Sequence, residues 1–313
     1  MRRYCTLFDR NYLGRGLALH QSLMRHGGSF RLHVLCLDEA TQDVLARLAL
    51  PGVELLSLAE LEAQDPGLRA VRGGRTPPEY YFTSKPVLMA RLLRDYPDTE
   101  RLSYLDSDLF FFSPAAALEH ELAGSAIAVA PHKLAARNAH FAQFGRFNAG
   151  WVSVGAGPES QRFLAWWRER CIECCRLVVE DARFGDQKYL DRVPGLFPGA
   201  RVVQHPGVNA GPWSLDARRV ALTAGGVLIE DRPLVFFHFH FLRRLLFGLY
   251  DSGLYEFGVE LTRAIRRGIY EPYLSELARH ERDLGESTAA GTMRRLALTL
   301  RAAARGSAVS ARD

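Results

Sequence analysis

The sequence predicts an α/β fold: a mostly parallel, Rossmann-like twisted sheet with helices on both faces, followed by a helical C-terminal extension. Three observations carry this. Short apolar runs alternate with helical periodicity from the first residues to Leu105, no repeat or low-complexity linker interrupts residues 1–240, and the pattern turns wholly helical after Tyr250. With 313 residues, 48% of them hydrophobic and 24% charged, the chain can bury a core without disulfides or structural metals. The same composition excludes a disordered or collagen-like chain.

The elements follow in order. Tyr4–Phe8 reads as a strand and Tyr12–Arg25 as a helix with Leu13, Leu17 and Leu23 on one side. Leu32–Leu37 is a second strand, Glu39–Leu50 a helix, and Val53–Leu56 a third strand with a short helix behind it. Glu79–Asp95 reads as helical, with Pro86 an obstacle in its middle. Leu102–Leu105 is a fourth strand, and Glu159–Val179 a helix on which cysteines of the group Cys171, Cys174 and Cys175 share a face. With no second CxxC and no histidine pair to complete a zinc site, these read as buried thiols. The N-terminus lacks a signal-peptide pattern. The longest apolar stretch, Leu234–Tyr250, is broken by His238, His240, Arg243 and Arg244, so it is not read as a membrane span. A reduced, cytoplasmic protein is the expectation.

Parallel sheets bind ligands at the carboxyl ends of their strands, and the sharpest motif lies at such an end. In Ser103-Tyr-Leu-Asp-Ser-Asp-Leu-Phe-Phe-Phe112 an apolar strand delivers Asp106 and Asp108 two residues apart. On an extended chain both carboxylates point the same way and can converge on one hard cation, Mg²⁺ or Mn²⁺, of the kind that also binds phosphates. Gly145–Val154 is an apolar strand with Asn148 and Gly150 at its entrance. Phe184-Gly-Asp-Gln-Lys places Asp186 and Gln187 at a helix start, suited either to polar ligands or to a simple N-cap. Leu234–Phe241 brings His238 and His240 to the end of another apolar strand as candidate metal ligands. Asn209 and Trp213, in a loop rich in Pro and Gly, are candidates for bordering an acceptor or for a structural turn.

Taken together, YLDSDLFFF, GRFNAGWVSV, WWRERC, FGDQKYLD, QHPG…PW and FFHFH, in that order over about residues 4–245, resemble the GT-A fold nucleotide-diphospho-sugar glycosyltransferases, and more closely bacterial transferases of surface-polysaccharide clusters. The resemblance implies that Asp106 and Asp108 are the metal-binding DxD that ties a divalent cation to the donor diphosphate. His238 would be a further ligand, better placed than His240, although Phe241-Leu-Arg stands where the family pattern has a glycine. It also implies that Thr6, Asp9, Asn11 and Tyr12 hold the base and ribose, that Lys85 lies near the phosphates, and that Asn148, Asp186 and Gln187 line the sugar and acceptor side. The implied activity is metal-dependent transfer of a sugar from a nucleotide-diphosphate donor, a UDP-sugar, to a glycan or lipid-linked acceptor. The resemblance leans towards retention of configuration. A DxD-dependent phosphatase and a catalytically silent, sugar-binding scaffold stand as alternatives.

The chain divides on this reading into a transferase domain over residues 1–250, a packed helical extension over 251–286, and a tail over 287–313. The net charge of +5 resides mostly in that tail, where Arg294, Arg295, Arg301, Arg305 and Arg312 face Asp313 alone. The tail is expected to fray; the other reading makes Met293–Ala304 a basic amphipathic helix in peripheral contact with the inner membrane face. No basic stripe with interleaved aromatics appears within residues 1–250, so nucleic acid is not an expected partner.

Overall fold

A computed structural model describes residues 2–216, 218–246, 248–284, 298, 299 and 301–310, apart from the side chain of His120. Apolar runs, buried along most of their length except in β3 and β8, build the central sheet: β1 (Arg2–Phe8), β2 (Phe30–Cys36), β3 (Val53–Ser57), β4 (Arg101–Leu105), β6 (Ile127–Pro131), β7 (Phe147–Gly155) and β8 (Ala200–Val202). Their order is β3-β2-β1-β4-β7-β6-β8. All run in one direction except β7, which pairs antiparallel with both β4 and β6. The sheet is mostly parallel and the fold GT-A-like, as the sequence predicts.

Alternation along β1 assigns its side chains to two layers. Cys5 and Leu7 enter a core built with α5 (Pro77–Asp95) and α7 (Pro158–Glu173), including Leu88, Met89, Phe163 and Trp167. Tyr4 and Phe8 enter a second core with α1 (Leu13–His26) and α2 (Glu39–Leu48), including Leu17, Leu23 and Leu45. The helices α3 (Leu58–Gln64) and α4 (Pro66–Val71) bridge β3 to α5, and α6 (Glu119–Leu122) is a single turn before β6. The start of α5 is set by a capping box between Thr76 and Glu79. Pro86 lies inside α5 without ending it. The missing hydrogen bond costs about 3 kcal/mol, and the burial of every residue from Thr83 to Met89 offsets it.

Two expectations change. The helix expected to reach Val179 stops at Glu173, because Cys174 turns extended at φ −153°. Cys171 therefore lies on α7 and Cys175 in the loop beyond; both are buried and free. The strand expected over Leu234–Phe241 shortens to β12 (Phe236–His238). It joins no part of the main sheet but pairs antiparallel with β5 (Leu109–Phe111). The hairpin β9 (Val220–Thr223) and β10 (Gly226–Ile229), with β11 (Arg232–Pro233), leads into it. The single turns α8 (Val193–Leu196) and α9 (Arg263–Ile265) precede this hairpin and α10 (Glu271–Asp283) respectively.

The aromatics after the DxD anchor this region. Phe111 meets Phe236 at 5.0 Å between ring centres, and Phe110 meets Tyr273 of α10 at 5.5 Å. Tyr273 also stacks on Phe239 at 3.8 Å. The expectation of a frayed tail does not hold for Ala308–Ser310. These residues form β15, antiparallel to β14 (Leu249–Asp251), which pairs in turn with β13 (Arg243–Arg244). Val309 is buried there, and that burial is the physical reason the strand docks. Residues 285–297 and 300, and with them half of the proposed basic helix Met293–Ala304, lie outside the described residues. Among the described residues no helix is long and apolar enough to cross a membrane.

Candidate active site

β4 ends at Leu105 and the chain folds back at once. The Leu109 N–H donates to the Asp106 carbonyl at 3.0 Å, and the Asp106 N–H donates to the Gly150 carbonyl of β7 at 2.8 Å. The DxD pair thus occupies a tight turn between β4 and β5, not the extended end of a strand. The carboxylates converge because neighbours close the turn on both sides. His238 is register partner to Leu109 in the β5–β12 pair, and the Phe239 N–H donates to the Asp108 carbonyl at 3.0 Å. Residues separated by 130 positions are brought together by that short antiparallel pairing.

Asp106, Asp108 and His238 each offer a ligand atom, and the three atoms lie within 4.8 Å of one another. His238 Nε2 stands 3.0 Å from Asp108 Oδ1 and 3.7 Å from Asp106 Oδ2. The other carboxylate oxygens are held from outside. Asp106 Oδ1 accepts from the Tyr104 hydroxyl at 2.9 Å and faces Lys85 Nζ at 3.4 Å. Asp108 Oδ2 accepts from Arg15 Nη1 at 3.3 Å, while Arg15 Nη2 is tied to the Leu242 carbonyl at 2.7 Å. Burial alone would raise the Asp108 pKa, but His238 and Arg15 outweigh it and hold the carboxyl well below its usual range. Burial would likewise lower His238, and Asp108 raises it instead. Two carboxylates and one imidazole, each with one atom turned to a shared point, fit a divalent cation. The mixed oxygen and nitrogen set suits Mn²⁺ at least as well as Mg²⁺.

His240 stands apart from this cluster. It follows β12, with its ring 5.7 Å from His238 and 5.6 Å from Trp213. Burial and the neighbouring His238 lower its pKa to about 4, so it is neutral at neutral pH. Trp213 is buried beneath the edges of His132, His238 and His240; it is packing for the histidines and offers no exposed face to a sugar.

Lys85 does not face an open phosphate site. It is 1% exposed, with Nζ 2.9 Å from Asp186 Oδ2, 3.1 Å from the Ala149 carbonyl and 3.4 Å from Asp106 Oδ1. The ammonium donates to the Ala149 carbonyl and is ion-paired with both carboxylates, so its charge is met by the protein's own groups. Burial would lower the Lys85 pKa, but Asp106 and Asp186 raise it, so the charge persists. Asp186 turns inward to meet it. Burial pushes the Asp186 pKa up and Lys85 opposes that push. The N-cap of the following 3₁₀ turn, Lys188–Arg192, is Gln187, not Asp186. Gln187 Oε1 accepts from the Ala149 N–H at 3.2 Å and lies 3.3 Å from Asn148 Nδ2, while its Nε2 donates to the Phe144 carbonyl at 3.0 Å.

At the N-terminal end of α1, Asp9 caps the turn Arg10–Tyr12 by accepting from the Asn11 N–H at 3.0 Å. Asn11 and Tyr12 are exposed, and the Arg15 guanidinium lies 4.7 Å over the Tyr12 ring. Arg15 thereby links this loop to the DxD. Thr6 is fully buried in β1, and its Oγ1 has no hydrogen-bond partner among the described residues.

YfnD of Bacillus subtilis is 30% identical over 279 residues, which cover 88% of this chain and 88% of YfnD. YfnF of the same organism is 32% identical over 244 residues, 75% of this chain and 80% of YfnF. The chain belongs to the YfnD family. No protein-family model matches it. Among solved structures, mouse xyloside xylosyltransferase 1 in its apo form covers 76% of this YfnD-family chain over 97% of its own length, with a TM-score of 0.50 at 16% identity. That likeness is one of fold, and the fold is that of GT-A nucleotide-sugar glycosyltransferases.

Two residues of this YfnD-family site are not singled out as candidates by the sequence. Tyr104 carried a usable signal, since it stands in the YLDSD string two residues before Asp106. Arg15 carried none: its partners, Asp108 and Leu242, lie 93 and 227 residues away.

Proposed function

We propose that the chain is a metal-dependent glycosyltransferase that moves a sugar from a nucleotide-diphosphate donor, a UDP-sugar, to a glycan or lipid-linked acceptor. The observation that carries this reading is the convergence of Asp106, Asp108 and His238 at the carboxyl end of β4 in a GT-A-like sheet. A cation bound there would offset the negative charge that develops on the leaving diphosphate.

The chain's own residues divide the remaining work. Tyr12, Asn11 and Asp9 form the exposed loop suited to the base and ribose. Lys85 pairs with Asp106 and Asp186 from beneath, supplying the counter-charge that a buried carboxylate needs. Arg15 does the same for Asp108 and retains guanidinium donors beyond the two it uses. Half-buried Gln187 borders the sugar side, where a retaining reaction would need a polar group on the donor face, while Asp186, turned inward to Lys85, acts from beneath. Arg15 thus takes the place near the diphosphate that the sequence assigned to Lys85.

A thermal-shift panel of nucleotide sugars with and without Mn²⁺ tests the reading. A ligand that binds the folded state raises the midpoint according to RT ln(1 + [L]/Kd). A UDP-sugar should give a Mn²⁺-dependent rise that Asp106→Asn and Asp108→Asn abolish. No rise with any nucleotide sugar, together with hydrolysis of an aryl phosphate, would favour the phosphatase reading and end this one.

A further inference from the structure

The Asn148 side chain, which family resemblance places beside the sugar, is spent inside the protein. Its Oδ1 lies 2.9 Å from the Gly150 N–H, 3.1 Å from Asn209 Nδ2 and 3.2 Å from His238 Nδ1. Its Nδ2 lies 3.3 Å from Gln187 Oε1 and 3.4 Å from His132 Nε2. The residue is 6% exposed, and its acceptor oxygen has no capacity left for a substrate hydroxyl.

These contacts also determine which atoms carry protons. A backbone N–H can only donate, so the Asn148 atom facing Gly150 is the oxygen and the amide is not flipped. An amide oxygen can only accept, so His238 Nδ1 must carry the hydrogen. Nε2, 3.0 Å from Asp108 Oδ1, is then the nitrogen that a cation on the side of Asp106 and Asp108 would take, in place of the proton it shares with Asp108. Asn209 steadies the arrangement from a left-handed backbone conformation at φ +49°, which asparagine tolerates better than most residues.

Gly150 supplies the space. A Cβ there would lie 2.5 Å from His238 Cε1, 2.7 Å from His238 Nδ1 and 2.7 Å from Asn148 Oδ1, so any side chain would displace the imidazole or the amide. Trp213 closes another side, its ring centre 5.2 Å from that of His238.

We propose that Asn148 and Gly150 form the seat of His238, and that Asn148 is a positioning residue which presents Nε2 to a divalent cation shared with Asp106 and Asp108. This rests on the metal-dependent reading above. It removes Asn148 from the sugar-contacting set and makes the FNAG motif part of the metal centre.

The test is Mn²⁺ affinity of the full chain, read from the loss of the free-Mn²⁺ electron paramagnetic resonance signal. Loss of an outer partner of a metal-bound histidine costs about 10–100-fold in affinity. Asn148→Leu and Gly150→Ala are expected to lose about that much, while Asn148→Asp, which keeps the acceptor oxygen and gives up only the Nδ2 donor, loses less than Asn148→Leu. Circular-dichroism melting checks that each variant is folded. If Asn148→Leu binds Mn²⁺ as the unaltered chain does, or Asn148→Asp loses as much as Asn148→Leu, the inference is wrong. A second measurement needs no variant: in the ¹⁵N-histidine-labelled chain loaded with Mg²⁺, His238 should be protonated at Nδ1, and an Nε2–H tautomer overturns the inference. If Asp106→Asn, Asp108→Asn and His238→Ala all leave Mn²⁺ binding unchanged, the metal reading itself fails and this inference with it.

Discussion

Lys85 and Asp186 form an ion pair, Nζ to Oδ2 at 2.9 Å, with side chains that are 2% and 4% exposed. The same ammonium also faces Asp106 at 3.4 Å. A buried pair of this kind contributes little net stability over an apolar replacement of both partners, but removal of one partner leaves an uncompensated charge.

Lys85→Met should therefore destabilise the fold by about 3–5 kcal/mol, read from the urea midpoint. Lys85→Met combined with Asp186→Leu should recover part of that loss, because no charge is then stranded at Asp186. A single variant within about 1 kcal/mol of the unaltered chain would mean that water reaches the site and the pair is not truly buried.

Arg15 is one of the groups that hold Asp108 ionised, and it is tied to both Leu242 and Tyr12. Arg15→Met should weaken UDP more than uridine, because the change removes a cation near the diphosphate. Isothermal titration with UDP and with uridine measures the difference. An equal loss for UDP and uridine would place Arg15 in packing alone.

The elements that were legible in the sequence are those whose partners lie nearby. Apolar runs marked β1 to β4 because a buried parallel strand reads as a continuous apolar stretch. The DxD was visible because both carboxylates sit within one turn. Its geometry was not, since the turn is closed by Gly150 and by the β5–β12 pairing, contacts that no local period encodes. The same holds for the reversed direction of β7 and for the choice between His238 and His240, which depends on where a three-residue strand stops. Lys85 was placed near anionic chemistry, but its partners proved to be the protein's own carboxylates. Burial, which decides that difference, is a property of packing across α5, β4 and the loop before Lys188.

Glu79 links the start of α5 to the loop that carries Asp186. Its Oε2 accepts from the Thr76 N–H at 2.9 Å and its Oε1 from the Leu177 N–H at 3.0 Å. The Thr76 and Leu177 amides hold its pKa below the usual glutamate value. A carboxyl with a depressed folded-state pKa contributes stability that is complete above its unfolded value and is lost as pH falls through the folded one. Glu79→Gln should therefore lower the melting temperature at pH 7 and flatten its decline below about pH 4.3, the ordinary glutamate pKa. An unchanged acid limb in melting curves from pH 7 to pH 3 would show that neither amide bond persists in solution.

The docking of β15 gives a test far from the chemistry. Val309 pairs with Tyr250 of β14 and is 2% exposed. The Tyr250 hydroxyl meets the Glu281 carboxylate of α10, 3.1 Å from each oxygen. The strand thus covers the junction between the β13–β14 pair and the last helix. Replacing a buried valine removes about 2 kcal/mol of transfer free energy, so Val309→Ala should lower stability by that order. Val309→Asp should cost more, because a carboxylate would enter an apolar place without a partner. A chain that ends at Ser307 should lose the β14 pairing altogether and become sensitive to proteolysis near Leu249–Asp251. If Val309→Asp melts with the unaltered chain, the strand is not docked in solution, and β14 must protect its free edge in another way.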